Sequence, residues 1–319
     1  MDASGLFGIV LCRTDSDCVI VVVMIVTVTC NPAIDMTIRD DEVSYDIGGK
    51  GINVSKVLLG LNTKSLVTGL IGDDNKDVII DRLDELKLPH HFVCVDGKVR
   101  TNTKKIVDDE LFEDNEKGPD ADEKKMDKLL SYLDRYVNAT IVISGSAPAN
   151  AADDYYFRMI ERLKRNHNYV ILDCNKALFA KGLQAMPDAI KPNRDEICDY
   201  LDCEYDEQLI IRKCQELIDQ GISLVSLSLG SDGALFVSEE GIYRCKALEV
   251  EYRSAVGAGD AMVAAMAYGR ENHLSIRETI KLSMALAATM VEMIGTGVPS
   301  LDAVMNHLKD VEIEEAIYE

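Results

Sequence analysis

The chain has 319 residues, of which 47% are hydrophobic and 28% charged, with a formal net charge of −21. That length suits two average domains or one large α/β domain with a sizeable core. So acidic a balance, without a basic patch, excludes the usual nucleic-acid binder, and a binder of anionic ligands must then gather its few cations locally. There are nine cysteines, an odd number with no CxxC spacing. This excludes a disulfide framework and a zinc site and favours free thiols in a reducing cytoplasm.

In chain order, residues 18–28 (CVIVVVMIVTV) form an apolar run too short to span a bilayer. Asp2, Asp15 and Asp17 outweigh Arg13 ahead of it, unlike a signal peptide. Its Val/Ile content predicts a buried parallel strand over 19–29. A helix follows over 53–61, a strand over 65–69 and a helix over 75–86. Residues 91–107 read as strands joined by an Asp96–Gly97 turn, and the acidic stretch 108–123 reads as a loop. Next come helix 123–136, strand 140–143, helix 152–166, and strands 169–172 and 189–191. Helices 194–201 and 207–220 lead to strand 224–229 and a hairpin at 234–244, and helices 257–271, 275–293 and 300–308 close the chain. This alternation predicts a mostly parallel sheet with helices on both faces, and ligands beyond the carboxyl ends of its strands.

The segment SAVGAGDAMVAAMAYG (254–269) carries the most chemistry. A Gly-rich turn opening a helix offers unpaired N–H groups and partial positive charge to an anion. Gly257, Ala258 and Gly259 are therefore candidate donors to a phosphoryl group; a plain tight turn is the other reading. Asp260 would repel phosphate, so it reads as the base that takes the proton of an attacking hydroxyl. Its alternative is a helix cap. Asp35 follows a strand in TVTCNPAIDMTI (27–38), at a turn that presents it. Gly48, Gly49 and Asn53 lie in GGKGINVSKVLLGLN (48–62), a Gly-rich turn running into a helix. Lys50 reads as a phosphate contact or a solvated lysine. The GGKG run lacks the spacing of a Walker A loop.

Eight motifs occur in one order: NPAID (31–35), GGKGINVSKVL (48–58), VRTN (99–102), SGSAP (144–148), LDCNKAL (172–178), IKPNRDE (190–196), SLGSDGAL (228–235) and VGAGDAM (256–262). On them the chain resembles the ribokinase/PfkB carbohydrate kinases from about residue 24 to its end. The resemblance implies a ribokinase-like α/β fold with a small β lid, built from segments near 36–48 and 91–115, over a kinase domain spanning 24–319. Residues 1–23 would be an N-terminal extension. It implies ATP and Mg²⁺, a cytoplasmic enzyme with no membrane or nucleic-acid partner, and a homodimer through the lid. The branch resembled acts on phosphorylated ketohexoses, with fructose 1-phosphate the preferred acceptor and tagatose 6-phosphate the alternative.

By the same resemblance Asp35 is a ligand for sugar hydroxyls, with a turn aspartate as the other reading, and Gly48, Gly49 and Asn53 line the sugar pocket, with a strand-to-helix turn as the other reading. Arg100 anchors the substrate phosphate. Lys104 follows in the expected spacing, with Lys105 blurring the register; a charged strand edge is the other reading. Asn193 and Glu196 match an Asn-x-x-Glu motif that positions Mg²⁺ largely through water, and the same pair is a helix-capping pattern. Lys191, Ser228, Gly230 and Gly233 would lie near nucleotide phosphates. Gly295 and Gly297 would form an adenine-side loop or a helix-ending turn. Only twelve residues, 36–47, separate Asp35 from Gly48. This is shorter than the resemblance implies, so a shortened lid, a more open sugar pocket and even a catalytically impaired sugar-phosphate binder are expectations to set against the fold.

Overall fold

The computed structural model describes residues 9–13, 18–22, 25–39, 42–107, 110–174 and 176–316. Strands β1 (Ile9–Arg13) and β2 (Cys18–Val22) pair antiparallel with each other alone. Next come β3 (Ile25–Thr29), β4 (Ala33–Arg39), β5 (Glu42–Gly48) and α1 (Lys50–Gly60). They are followed by β6 (Ser65–Gly72), α2 (Asp77–Glu85), β7 (His90–Val95), β8 (Arg100–Val107) and β9 (Glu110–Asn115). The middle of the chain supplies α3 (Glu123–Leu133), β10 (Thr140–Ser144), α4 (Tyr155–Arg165), β11 (Tyr169–Asp173), α5 (Lys176–Leu183) and β12 (Ala189–Ile190). The rest is α6 (Arg194–Leu201), α7 (Glu207–Asp219), β13 (Leu224–Ser228), β14 (Ala234–Ser238), β15 (Gly241–Cys245), α8 (Ala258–Glu271), α9 (Ile276–Val291), α10 (Leu301–His307) and β16 (Glu314–Glu315).

Among the described residues ten strands form the central sheet, in the order β16-β15-β14-β13-β12-β11-β10-β3-β6-β7. From β13 to β7 every neighbouring pair is parallel, and beyond β13 the pairing turns antiparallel. The two faces follow from the period-2 alternation of side chains. Val26, Val28, Ile141 and Ile143 pack on one side with residues of α3, α4, α6 and α7. Ile25 and Val142 pack on the other with α1, α8 and α9. The chain leaves β3 toward β6 on one side and later fills β10 to β13 on the other. The order therefore reverses between β3 and β10, where ligands of open parallel sheets gather.

A separate four-stranded sheet, in the order β5-β4-β8-β9, forms the lid. The short 36–47 segment still supplies most of two strands, because β4 and β5 pair in register from Ala33↔Gly48 to Arg39↔Glu42.

Three expectations need correction. The run predicted as one strand over 19–29 is two: β2 stays with β1, and Ile25–Thr29 alone enters the central sheet. The strands predicted within 91–107 are no hairpin. β7 joins β6 in the central sheet and β8 joins β4 in the lid, so the turn at Gly97 (φ +106) links two sheets. The acidic stretch read as a loop contains β9, because β8 offers it a full antiparallel ladder.

Candidate active site

Helix α8 is capped at its start by Gly257, whose φ of +87 is the left-handed conformation that a residue with a Cβ rarely adopts. The Ala261 amide bonds back to the Gly257 carbonyl at 2.9 Å and starts the helix. The Ala258 amide already turns to the Ala255 carbonyl at 3.4 Å, so the Gly259 and Asp260 amides are the better anion donors of this turn. Asp260 is not the cap of α8, because Gly257 holds that position and Asp260 stands in the first turn. Instead Oδ2 accepts from Asn53 Nδ2 of α1 at 2.8 Å. Burial, followed by the nearby Asp173 carboxylate, pushes the Asp260 pKa up to about 6, against the pull of Lys50, Asn53 and Lys191.

Asp173, the last residue of β11, is fully buried between two lysines. Its Oδ1 lies 3.1 Å from Lys50 Nζ and 3.5 Å from Lys191 Nζ. Burial opposes its charge, but Lys191 and Lys50 hold its carboxyl below the usual range. Burial likewise works against the Lys50 ammonium, which Asp173, Asp260 and Glu196 hold above its ordinary pKa. A Cβ at Gly259 would lie 3.3 Å from Lys191 Nζ, which sets that ammonium against the anion-binding turn. Sequence reading passed over Asp173, whose signal was the LDCNKAL motif at a strand end.

Asn193 and Glu196 form a reciprocal capping box at the start of α6. Asn193 Oδ1 accepts from the Glu196 amide at 2.8 Å, and Glu196 Oε2 from the Asn193 amide at 2.9 Å. Ser228 pairs beside Asn193 in a short parallel bridge. Asp173 Oδ2 is buried without a hydrogen-bond partner, and with Glu196 it offers the hard oxygens that suit Mg²⁺. Among the described residues no group of three or more acidic, His or Cys side chains could hold a metal. Waters and phosphate oxygens would have to complete the shell.

On the lid, Asp35, Arg100, Asn102 and Lys104 share one face by strand register. Asn102 Nδ2 donates to Asp35 Oδ1 at 2.8 Å. Burial raises the Asp35 carboxyl, and Asn102, Lys104 and Lys56 act against it. Arg100 Nε donates to the Asn31 carbonyl at 3.3 Å. Burial lowers its pKa and Asp35 offsets part of that. The register also separates the two lysines: Lys104 falls on the Asp35 face and Lys105 on the opposite one. Asn102 was missed as a site residue, although it closes the VRTN motif. Gly48 packs under the Asp35 carboxylate, and Gly49 joins it to α1.

The remaining predicted positions divide. Gly230 opens a single 3₁₀ turn after β13, with free space above its Cα. A side chain at Gly233 would strike the Cys245 carbonyl, so the hairpin itself demands that glycine. Thr296, between Gly295 and Gly297, lies against the Gly257 turn and brings this loop to the start of α8.

A buried carboxylate at a helix N-terminus, two lysines nearby and a polar lid face suit the transfer of a phosphoryl group to an alcohol. The profile of the pfkB family carbohydrate kinases matches residues 17–303, and the chain belongs to that family. The 1-phosphofructokinase of Escherichia coli (strain K12) is 33% identical over 301 residues, 88% of this chain and 96% of that protein. The 1-phosphofructokinase of Haloferax volcanii is 30% identical over 303 residues, 91% of this chain and 98% of that protein. The solved structure of phosphofructokinase-2 from Escherichia coli in complex with potassium has a TM-score of 0.84 at 24% identity. It covers 90% of this chain and 99% of that one, a likeness of fold. No helix among the described residues is long and apolar enough to cross a membrane.

Proposed function

We propose that this kinase phosphorylates a ketohexose phosphate, with fructose 1-phosphate the preferred acceptor, fructose 1,6-bisphosphate the product, and ATP and Mg²⁺ required. The observation that carries the reading is Asp260, buried at the start of α8 and held by Asn53. The names of the two curated relatives support the acceptor.

The γ-phosphoryl group of ATP would sit at the Gly259 and Asp260 amides, with Lys191 beside it to stabilise charge developing on the transferred oxygens. Lys50 and Lys191 bring two cations to the site, and Asp173 compensates them where no ligand does. Asp35 and Asn102 would hold sugar hydroxyls and Arg100 and Lys104 the sugar's own phosphate. Asp260, ionised at neutral pH, would take the proton of the attacking hydroxyl. Bound Mg²⁺ would neutralise phosphate charge near Glu196 and Asp173. Lys191, Asn193, Ser228, Gly230 and the 295–297 loop would line the nucleotide side.

The outer lid face exposes Val43, Tyr45 and Phe112, at 49%, 65% and 56%. These apolar side chains, with Lys105 among them, fit a second copy of the chain, and we assign a homodimer to this face. From Cys30 to Cys245 the seven cysteines are free thiols, which suits the cytoplasm. A coupled ATP/ADP assay over phosphorylated and unphosphorylated ketohexoses tests the function. Turnover restricted to unphosphorylated sugars, or binding without turnover, would overturn it.

A further inference from the structure

Lys56 is a buried charge that the phosphoryl-transfer steps leave without a task. It lies in α1, one turn beyond Asn53, and only 2% of its side chain is exposed. Its ammonium donates to the Ile47 carbonyl at 2.7 Å and to Asp46 Oδ2 at 3.0 Å. Asp46 Oδ1 in turn accepts from the Ile47 amide at 2.8 Å. β5 is an edge strand of the lid sheet. Backbone groups that an edge leaves unpaired are thus closed by a carboxylate and a lysine from the helix that follows.

The same pair sets the charge of the lid. Asp35 and Asp46 stand directly opposite each other in the β4–β5 register, where like charges repel. Lys104 and Lys56 favour the ionised Asp35, Asp46 opposes it, Asn102 donates to it, and Arg100 lies within its field. Lys56 itself faces Asp46, Asp35 and Arg82. A lysine is rarely buried unless its charge is used, and a neutral side chain of the same length would fill this space as well.

We propose that Lys56 is a positioning residue for the sugar phosphate. Through Asp46 and Ile47 it ties the lid strand opposite Asp35 to α1, the helix whose Asn53 orients Asp260. One helix then sets the separation between the group that holds the acceptor's hydroxyls and the group that takes a proton from one of them. This rests on the roles given above to Asp35 and Asp260.

The test uses full-length Lys56→Met, Lys56→Arg and Asp46→Asn, with fructose 1-phosphate and ATP. Misplacement of this kind costs on the order of 10- to 100-fold. Lys56→Met should lose that much in kcat/KM for the sugar phosphate, with KM for ATP within about twofold of wild type. The acid limb of its acceptor kcat/KM profile should move to higher pH, because Asp35 loses a neighbouring cation. Lys56→Arg should restore both, and Asp46→Asn should weaken acceptor use in the same direction. A purely structural role would lower thermal stability and affect both substrates without moving the pH limb. Unchanged acceptor kinetics and pH limb in a folded Lys56→Met overturn the proposal. If that variant does not fold, Asp46→Asn decides it: weakened acceptor kcat/KM with the acid limb moved to lower pH, because Asp35 then loses a neighbouring carboxylate, supports the proposal, and unchanged values overturn it. A wild type that neither binds nor turns over any ketohexose phosphate overturns the functional reading and this one together. An active wild type with indifferent variants overturns this one alone.

Discussion

The side-chain amide of Asn53 reaches Oδ2 of Asp260 at 2.8 Å, joining residues 207 positions apart. A neutral donor stabilises a carboxylate less than a cation at the same distance would. Burial and the Asp173 carboxylate prevail over Asn53 and the two lysines, and push the pKa up to about 6. That value is close enough to neutrality for a base that is ionised at pH 7 and still able to hold a proton.

Asp260→Asn should keep the fold and ATP binding and cut phosphoryl transfer by about 10²–10⁴-fold. In the wild type, kcat should rise with pH through an acid limb near 6. Stability has the opposite sense. The folded pKa lies above the ordinary value of 3.8, so this group's contribution is full below the unfolded pKa and is lost as pH rises through the folded one. The asparagine variant should accordingly melt higher than wild type at pH 7.5, with the gap closing toward pH 5. Near-normal turnover of the variant would remove Asp260 from the role.

Arg100→Ala should raise KM for the phosphorylated sugar far more than KM for ATP. A lost charge-assisted phosphate contact costs on the order of 1.5–3 kcal/mol. Steady-state kinetics with each substrate varied in turn decide the point, and equal effects on both would take Arg100 off the acceptor side.

Starting the chain at Met24 should leave a folded kinase. β3 is held between β10 and β6, and the β1–β2 pair adds no strand to that sheet. Circular dichroism and a melting curve of the truncated protein provide the check. A sharply lower melting temperature would make residues 1–23 part of the core.

Charges on the outer lid face should separate the proposed dimer. Tyr45→Glu combined with Phe112→Glu places like charges on an apolar surface and should shift the mass in light scattering toward one chain. Wild type that is already monomeric at micromolar concentration would refute the assignment.

The GAGD turn, the Asn193–Glu196 cap and the helix over 194–201 were legible in the sequence, because each depends on residues within a few positions of one another. Glycine at 257 and a carboxylate three residues along specify a helix start locally. The parallel sheet was legible for a similar reason, since alternating apolar strands and helices allow few topologies. The two strands within 91–107 were not assignable. Local alternation marks a strand, but which sheet it joins depends on partners distant in the chain: Ser65–Gly72 takes β7 into the core, and Ala33–Arg39, earlier still, takes β8 into the lid. β9 was hidden altogether, since its acidic side chains suggest a loop and only the ladder with β8 makes it a strand. Asp173 and Lys56 belong to the same class. Each sits in a recognisable motif, but the lysines that hold one and the carboxylate that holds the other come together only when the sheet, α1 and the lid are assembled. Chain-local geometry sets how elements begin and end, whereas burial and charge pairing are properties of the packed chain, and in this protein they decide which carboxylates can do chemistry.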